Sequence, residues 1–257
     1  MSEAISVFAS PSPRVRRVAV DRPWSWLARG WADVLTGWRV SLAYGALIAA
    51  VSLGFVLGLV LSGYVFLVLP FAAGFMLVAP VLAVGLYETS RRLSAGQPVS
   101  LRAAVLAFRA NAAQIALMGL LLMLINLAWV RIATLLFALF FSEAPPSLER
   151  LVQFLLFSPA SLAFLIVGTA IGAGLAALTF TLSAISIPML LDRDVGLFTA
   201  VATSVVAVRA NLAPMLLWAA LVVIFTVLGL ATLTLGLVVA MPLIGHATWH
   251  AYRDMVE

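Results

Sequence analysis

Two histidines, His246 and His250, stand four residues apart in the string HATWH near the end of a 257-residue chain. Side chains at i and i+4 share a helix face, which is how a helix presents paired imidazoles to a metal ion. A metal site needs three or four ligands, and the chain has no cysteine. Only Glu88, Asp192 and Asp254 remain to complete a set, and they would have to converge from separate helix ends. Two imidazoles on one face cannot take opposite sides of a haem iron either. Arg91, Arg92 and Arg253 lie beside Glu88 and Asp254 and compete for those carboxylates as charge-assisted partners. The pair is therefore expected to hydrogen-bond to neighbouring segments, with Trp249 and Tyr252 as anchors at a membrane boundary. No catalytic residue, cofactor or metal is expected.

Arg131 and Asn126 are the polar residues set deepest in an apolar run. An intramembrane charge is a functional candidate by default, but Arg131 is close enough to the end of its run to snorkel to the surface. Gly168 and Gly172, four apart among alanines, make a small-residue face suited to close helix packing. No phosphate loop, no serine nucleophile motif and no pair of intramembrane carboxylates is present.

The elements that must position these residues are apolar helices. The chain is 64% hydrophobic and 10% charged, against about 45–50% and about 25% for soluble domains. Too little polar surface exists to cover such a core, so lipid must be the solvent for much of it. Spans of about 20 apolar residues are expected at 40–61, 64–86, 113–141, 162–191, 212–230 and 234–252, six in all. A short surface helix is expected over 151–158, after the polar break Ser142 to Arg150 with its rigid Pro145-Pro146 turn. Residues 1–39 are polar and proline-interrupted, so no cleavable signal is expected.

All 15 basic residues are arginine, and 13 of them fall in the segments before the first span, between spans two and three, between four and five, and after six. Only Arg131 and Arg150 fall on the other side. This bias predicts that both termini lie in the cytoplasm, and it reads the high pI as topology, with no nucleic-acid partner.

Each odd-numbered span follows a more polar lead-in segment. Before the first, Trp24, Leu27, Trp31, Leu35 and Trp38 fall on one helical face and Ser25, Arg29 and Asp33 on the other. That pattern predicts an amphipathic helix with its tryptophans at headgroup depth. Phe-Arg-Ala-Asn-Ala-Ala at 108–113 recurs as Val-Arg-Ala-Asn-Leu-Ala at 208–213, and Pro80, Pro188 and Pro242 recur near the ends of the even spans. The expectation is an all-α polytopic membrane protein of three hairpins. A tail (1–23) precedes one six-helix domain (24–257), divisible into repeats 24–95, 98–194 and 195–257.

The strings WSWLARGWADVLTGWRVSLAYGALIA, from Trp24 to Ala49, and MPLIGHATWHAYRDMV, from Met241 to Val256, resemble a bacterial family of uncharacterised integral membrane proteins. Some of its members are labelled putative cytochrome c oxidase subunit. The resemblance implies this architecture, a bacterial inner-membrane location and association with a respiratory complex, and it names no catalytic residues. The leading functional expectation is a non-catalytic membrane subunit or accessory factor, with membrane lipids and other membrane subunits as partners. The alternative is a small-solute or lipid transporter built on the repeat, and an enzyme using the His246/His250 end comes third.

Overall fold

The computed structural model describes residues 14–140 and 148–257, and is 84% helical. Among the described residues the only β pairing is an isolated bridge between Val15 and Val256. The Pro145-Pro146 turn lies outside the described residues. The helices are α1 (Arg22–Thr36), α2 (Trp38–Leu61), α3 (Val68–Leu82), α4 (Val84–Ser94), α5 (Leu101–Leu106) and α6 (Ala112–Phe140). They are followed by α7 (Leu148–Phe157), α8 (Ser161–Ser183), α9 (Ser186–Asp192), α10 (Leu197–Ala210), α11 (Leu212–Ala231) and α12 (Leu237–Met255).

Among the described residues five stretches are long and apolar enough to cross a membrane: Trp38–Leu61, Val65–Ser94, Ala112–Phe140, Ser161–Asp192 and Leu212–Ala231. The fold is that of an all-α polytopic membrane protein. Two of the expected spans are compound. The second breaks at Ala83, between α3 and α4, and the fourth at Ala184–Ile185, between α8 and α9. Pro188 accounts for the second break, because its ring crowds the carbonyl of residue i−4, which is Ala184, and supplies no N–H to it.

The amphipathic lead-in to α2 forms, and its polar face is partly covered by another helix. Trp24, Trp31, Leu35 and Trp38 are exposed, while Trp26 and Val34 are buried against the bundle. On the face opposite the tryptophans, Arg29 and Asp33 reach polar partners on α12. The reason is that α12's second half is itself polar and buried, so the side chains of α1 that can hydrogen-bond to it pack inward. Gly37 separates α1 from α2, placing Trp38 on the second helix.

Helix α12 runs antiparallel to α1 and α2 through their centre. A Cβ on Gly30 would come within 2.7 Å of the Ala247 backbone nitrogen, and one on Gly45 would collide with the Val238 carbonyl oxygen. That carbonyl is the one Pro242, four residues on, leaves without an N–H donor. Glycine at 45 lets it rest against bare backbone.

The α11–α12 turn comes level with the middle of α2, where the Thr234 hydroxyl donates to the Ala49 carbonyl at 3.1 Å. From Ala49, α2 continues to Leu61, about 18 Å further at helical rise. The sixth expected span thus begins at Leu237 and is a central, mostly buried helix. The turn closes its own polar groups: the Thr232 hydroxyl accepts from the Gly236 N–H at 2.8 Å and donates to the Gly229 carbonyl at 3.0 Å. Leu233 and Thr234 take positive φ values of 53° and 67° to make it.

Candidate functional site

Helices α4, α9 and the second half of α12 touch one another at the arginine-rich end, with α1 against α12. His246 is fully buried there, at 0% exposure. Its Nδ1 is 2.7 Å from Ser90 Oγ on α4, and its Nε2 is 2.9 Å from Ser41 Oγ on α2. Ser90 donates its one proton to Asp33 Oδ2 at 2.6 Å, so toward His246 its oxygen can only accept. Nδ1 of His246 therefore carries the hydrogen, and in the neutral ring Nε2 accepts from Ser41. His250 Nε2 donates to the same Asp33 Oδ2 at 2.9 Å. The result is one connected chain: His250, Asp33, Ser90, His246, Ser41.

This geometry separates the two imidazoles despite their shared helix. His246 is aimed between α2 and α4, and His250 at α1. Among the described residues no three His, Asp or Glu side chains converge as a metal ion would require.

The remaining carboxylates are held by cations. Asp254 Oδ2 accepts from Arg22 Nε (2.8 Å), Arg29 Nη2 (2.7 Å) and Trp26 Nε1 (2.8 Å). Burial raises the Asp254 pKa, but the hydrogen bonds from Arg29, Trp26 and Arg22 outweigh it and hold the carboxyl below its ordinary value. Glu88 accepts from Arg91 and Arg92 on its own helix. Asp192 accepts from Tyr252 Oη at 2.8 Å and Arg253 at 3.1 Å, and Arg193 donates to the same tyrosine at 3.0 Å. Arg253 thus serves Asp192, and Asp254 is held from α1.

Trp249 lies inside, 2% exposed, with its ring 5.5 Å from that of Tyr252. A Cβ on Gly172 would stand 3.2 Å from the Trp129 ring of α6, and one on Gly168 would stand 3.8 Å from Leu136. Arg131 is exposed. Asn126 is buried against Gly74 of α3, its Oδ1 unpartnered.

The repeated asparagines do equivalent work. Asn111 Nδ2 donates to the Val195 carbonyl at 3.1 Å, in the segment leading into α10. Asn211 accepts from the Val18 N–H at 2.8 Å and donates to the Arg16 carbonyl at 2.9 Å, in the segment leading into α1. Both motifs are visible in the sequence, but their long-range partners are not. Nor is Asp33 visible there as a hub, because the partners lie 57 and 217 residues away.

A family model described as "Predicted integral membrane protein (DUF2189)" matches residues 67–192, from the start of the second candidate span to the end of the fourth. With the five apolar helices, that decides the class. The chain is an integral membrane protein. No curated protein and no solved structure matches it. In this membrane protein the polar cluster caps one end of the helices, and its donors and acceptors are largely engaged with one another.

Proposed function

We propose that the chain is a non-catalytic subunit or accessory factor of a larger membrane complex, in the bacterial inner membrane with both termini in the cytoplasm. The observation that carries this reading is a contrast. The described acidic and histidine side chains of the polar cluster, Asp33, Glu88, Asp192, Asp254, His246 and His250, are each already held by an internal partner. Meanwhile the α8–α9 stretch has only 6% of its apolar window buried, against 22–33% in the other four. Apolar partners in the membrane would complete it. The resemblance of the chain's two ends to a family with members labelled as oxidase subunits points to a respiratory complex.

We take the three hairpins, residues 24–95, 98–194 and 195–257, as repeats, supported by the matching roles of Asn111 and Asn211. A transporter is the second reading, favoured by the unpartnered buried Asn126 Oδ1, Thr179 Oγ1 and Ser183 Oγ inside α6 and α8.

A photo-crosslinking residue placed in living cells at Leu165 or Ile166 of α8 separates the two. Both positions are exposed, at 46% and 59%. The subunit reading predicts one protein adduct of constant mass from both. Lipid adducts alone at both positions would remove it in favour of the transporter.

A further inference from the structure

The arginine-rich end carries a feature that the histidine–aspartate chain does not use. A groove of about 520 Å3 runs between α4 and the α5 segment, walled by Glu88, Arg91, Arg92, Ser100, Arg102 and Arg109. That volume lies within the range of small-ligand sites. Glu88 is shared by Arg91 Nε at 2.7 Å and Arg92 Nε at 2.6 Å, so one carboxylate faces two guanidiniums. Arg102 and Arg109 make no ion pair among the described residues. Four arginines less one glutamate leave three uncompensated positive charges around one groove.

The sequence explains the arrangement. Arg102, Leu106 and Arg109 recur at i, i+4 and i+7 and fall on one side of the short helical segment. The adjoining side presents Leu101 and Val105, 40% and 47% exposed. A basic groove is thus bordered by an apolar ridge, at the end of a helix whose other end is a candidate span. Ser100 Oγ accepts the Ala103 N–H at 3.2 Å, which leaves its own proton free to donate into the groove.

We propose that this groove binds the phosphate of an anionic phospholipid headgroup, with the acyl chains lying along Leu101 and Val105. Guanidinium forks match phosphate oxygens in pairs, and three excess charges select an anionic head over a zwitterionic one. Basic pockets between membrane helices are suited to such headgroups. A free phosphate would satisfy the same polar groups, but it would leave the apolar ridge unused. The proposal stands whether or not the chain is a complex subunit.

The test uses the full chain in mild detergent, with bound species counted by native mass spectrometry. The probes are phosphatidylglycerol, phosphatidylcholine and inorganic phosphate. Wild type is expected to bind one phosphatidylglycerol in preference to phosphatidylcholine. The Arg102→Gln/Arg109→Gln variant should lose roughly tenfold or more in affinity, the scale of lost charged hydrogen bonds. Arg39→Gln/Arg209→Gln removes the same charge from exposed positions elsewhere on this end, and should change affinity less than about twofold if binding is local. Should the first variant fold poorly, Arg102→Lys/Arg109→Lys keeps the charge and loses the fork, and is expected to bind between the two. Equal losses in both glutamine variants would mean a diffuse field and overturn the site, as would no preference over phosphatidylcholine. Inorganic phosphate that displaces phosphatidylglycerol at equal concentration would overturn the lipid assignment in favour of a soluble anion.

Discussion

Asp33 Oδ2 receives the Ser90 hydroxyl at 2.6 Å and His250 Nε2 at 2.9 Å, and through them joins α1, α4 and α12. Replacing it by Asn leaves one amide oxygen to accept both bonds and removes the charge that makes them strong. Asp33→Asn is expected to cost about 1–3 kcal/mol, the range for a lost charged hydrogen bond, seen as a lower Tm in detergent with membrane insertion kept. Asp254 supplies the second residue-scale prediction. Its folded-state pKa is depressed by Arg29, Trp26 and Arg22. Its contribution to stability is therefore complete above the ordinary carboxylate value of 3.8 and is lost as pH falls through the lower folded value. Acid titration of stability should show a loss beginning near that value in wild type, and a shallower one in Asp254→Asn. The pairing of Glu88 with Arg91 and Arg92 was legible in the sequence, since they lie three and four residues away on one helix. The partners of Asp33, His246 and Asp254 were not, because helix periodicity says which face a residue occupies and nothing about what packs on that face.

At the scale of elements, the apolar runs were read closely: α2, α6 and α11 end within a few residues of the expected bounds, because lipid demands about 20 unbroken apolar residues. The amphipathic lead-in was read as a helix with two faces, but the helix its polar face meets was not legible. Tryptophans at 24, 31 and 38 do point outward, yet Trp26 is the one fully buried, beside Trp218 at 5.9 Å in an edge-on contact. Hydropathy cannot distinguish a polar face turned to water from one turned to another polar helix. The depth of the last hairpin was equally hidden, because composition gives a length and not the level at which a neighbour ends. The Thr234–Ala49 bond sets that level halfway along α2, with Leu233 75% exposed at the tip. The chain contains no cysteine, so single cysteines report cleanly. On the proposed topology Ser62→Cys, exposed in the turn beyond Leu61, should react with a membrane-impermeant maleimide applied to the side opposite the termini. Leu233→Cys should stay unlabelled until detergent is added. Equal labelling of both would show that the last hairpin reaches the far surface.

At the scale of the molecule, one end is knit by charge and the rest is held by apolar contact. The largest buried cluster gathers around α12, α4 and α9, taking in Trp26, Tyr87, Met189 and Tyr252. Toward the opposite end the described residues form small clusters, such as Phe66 with Phe137 and Trp129 with Leu77. This asymmetry leaves α8 the least covered span, with open space in front of Gly174. On the proposed subunit reading, this surface belongs to a protein partner. The direct test is the mass of the native particle released from membranes into lipid nanodiscs, for wild type and for Gly174→Leu, which adds bulk only on the open side. The wild-type particle is expected to carry protein mass beyond the 27.3 kDa chain, reproducibly reduced in Gly174→Leu. A wild-type particle holding one 27.3 kDa chain and lipid alone would contradict it.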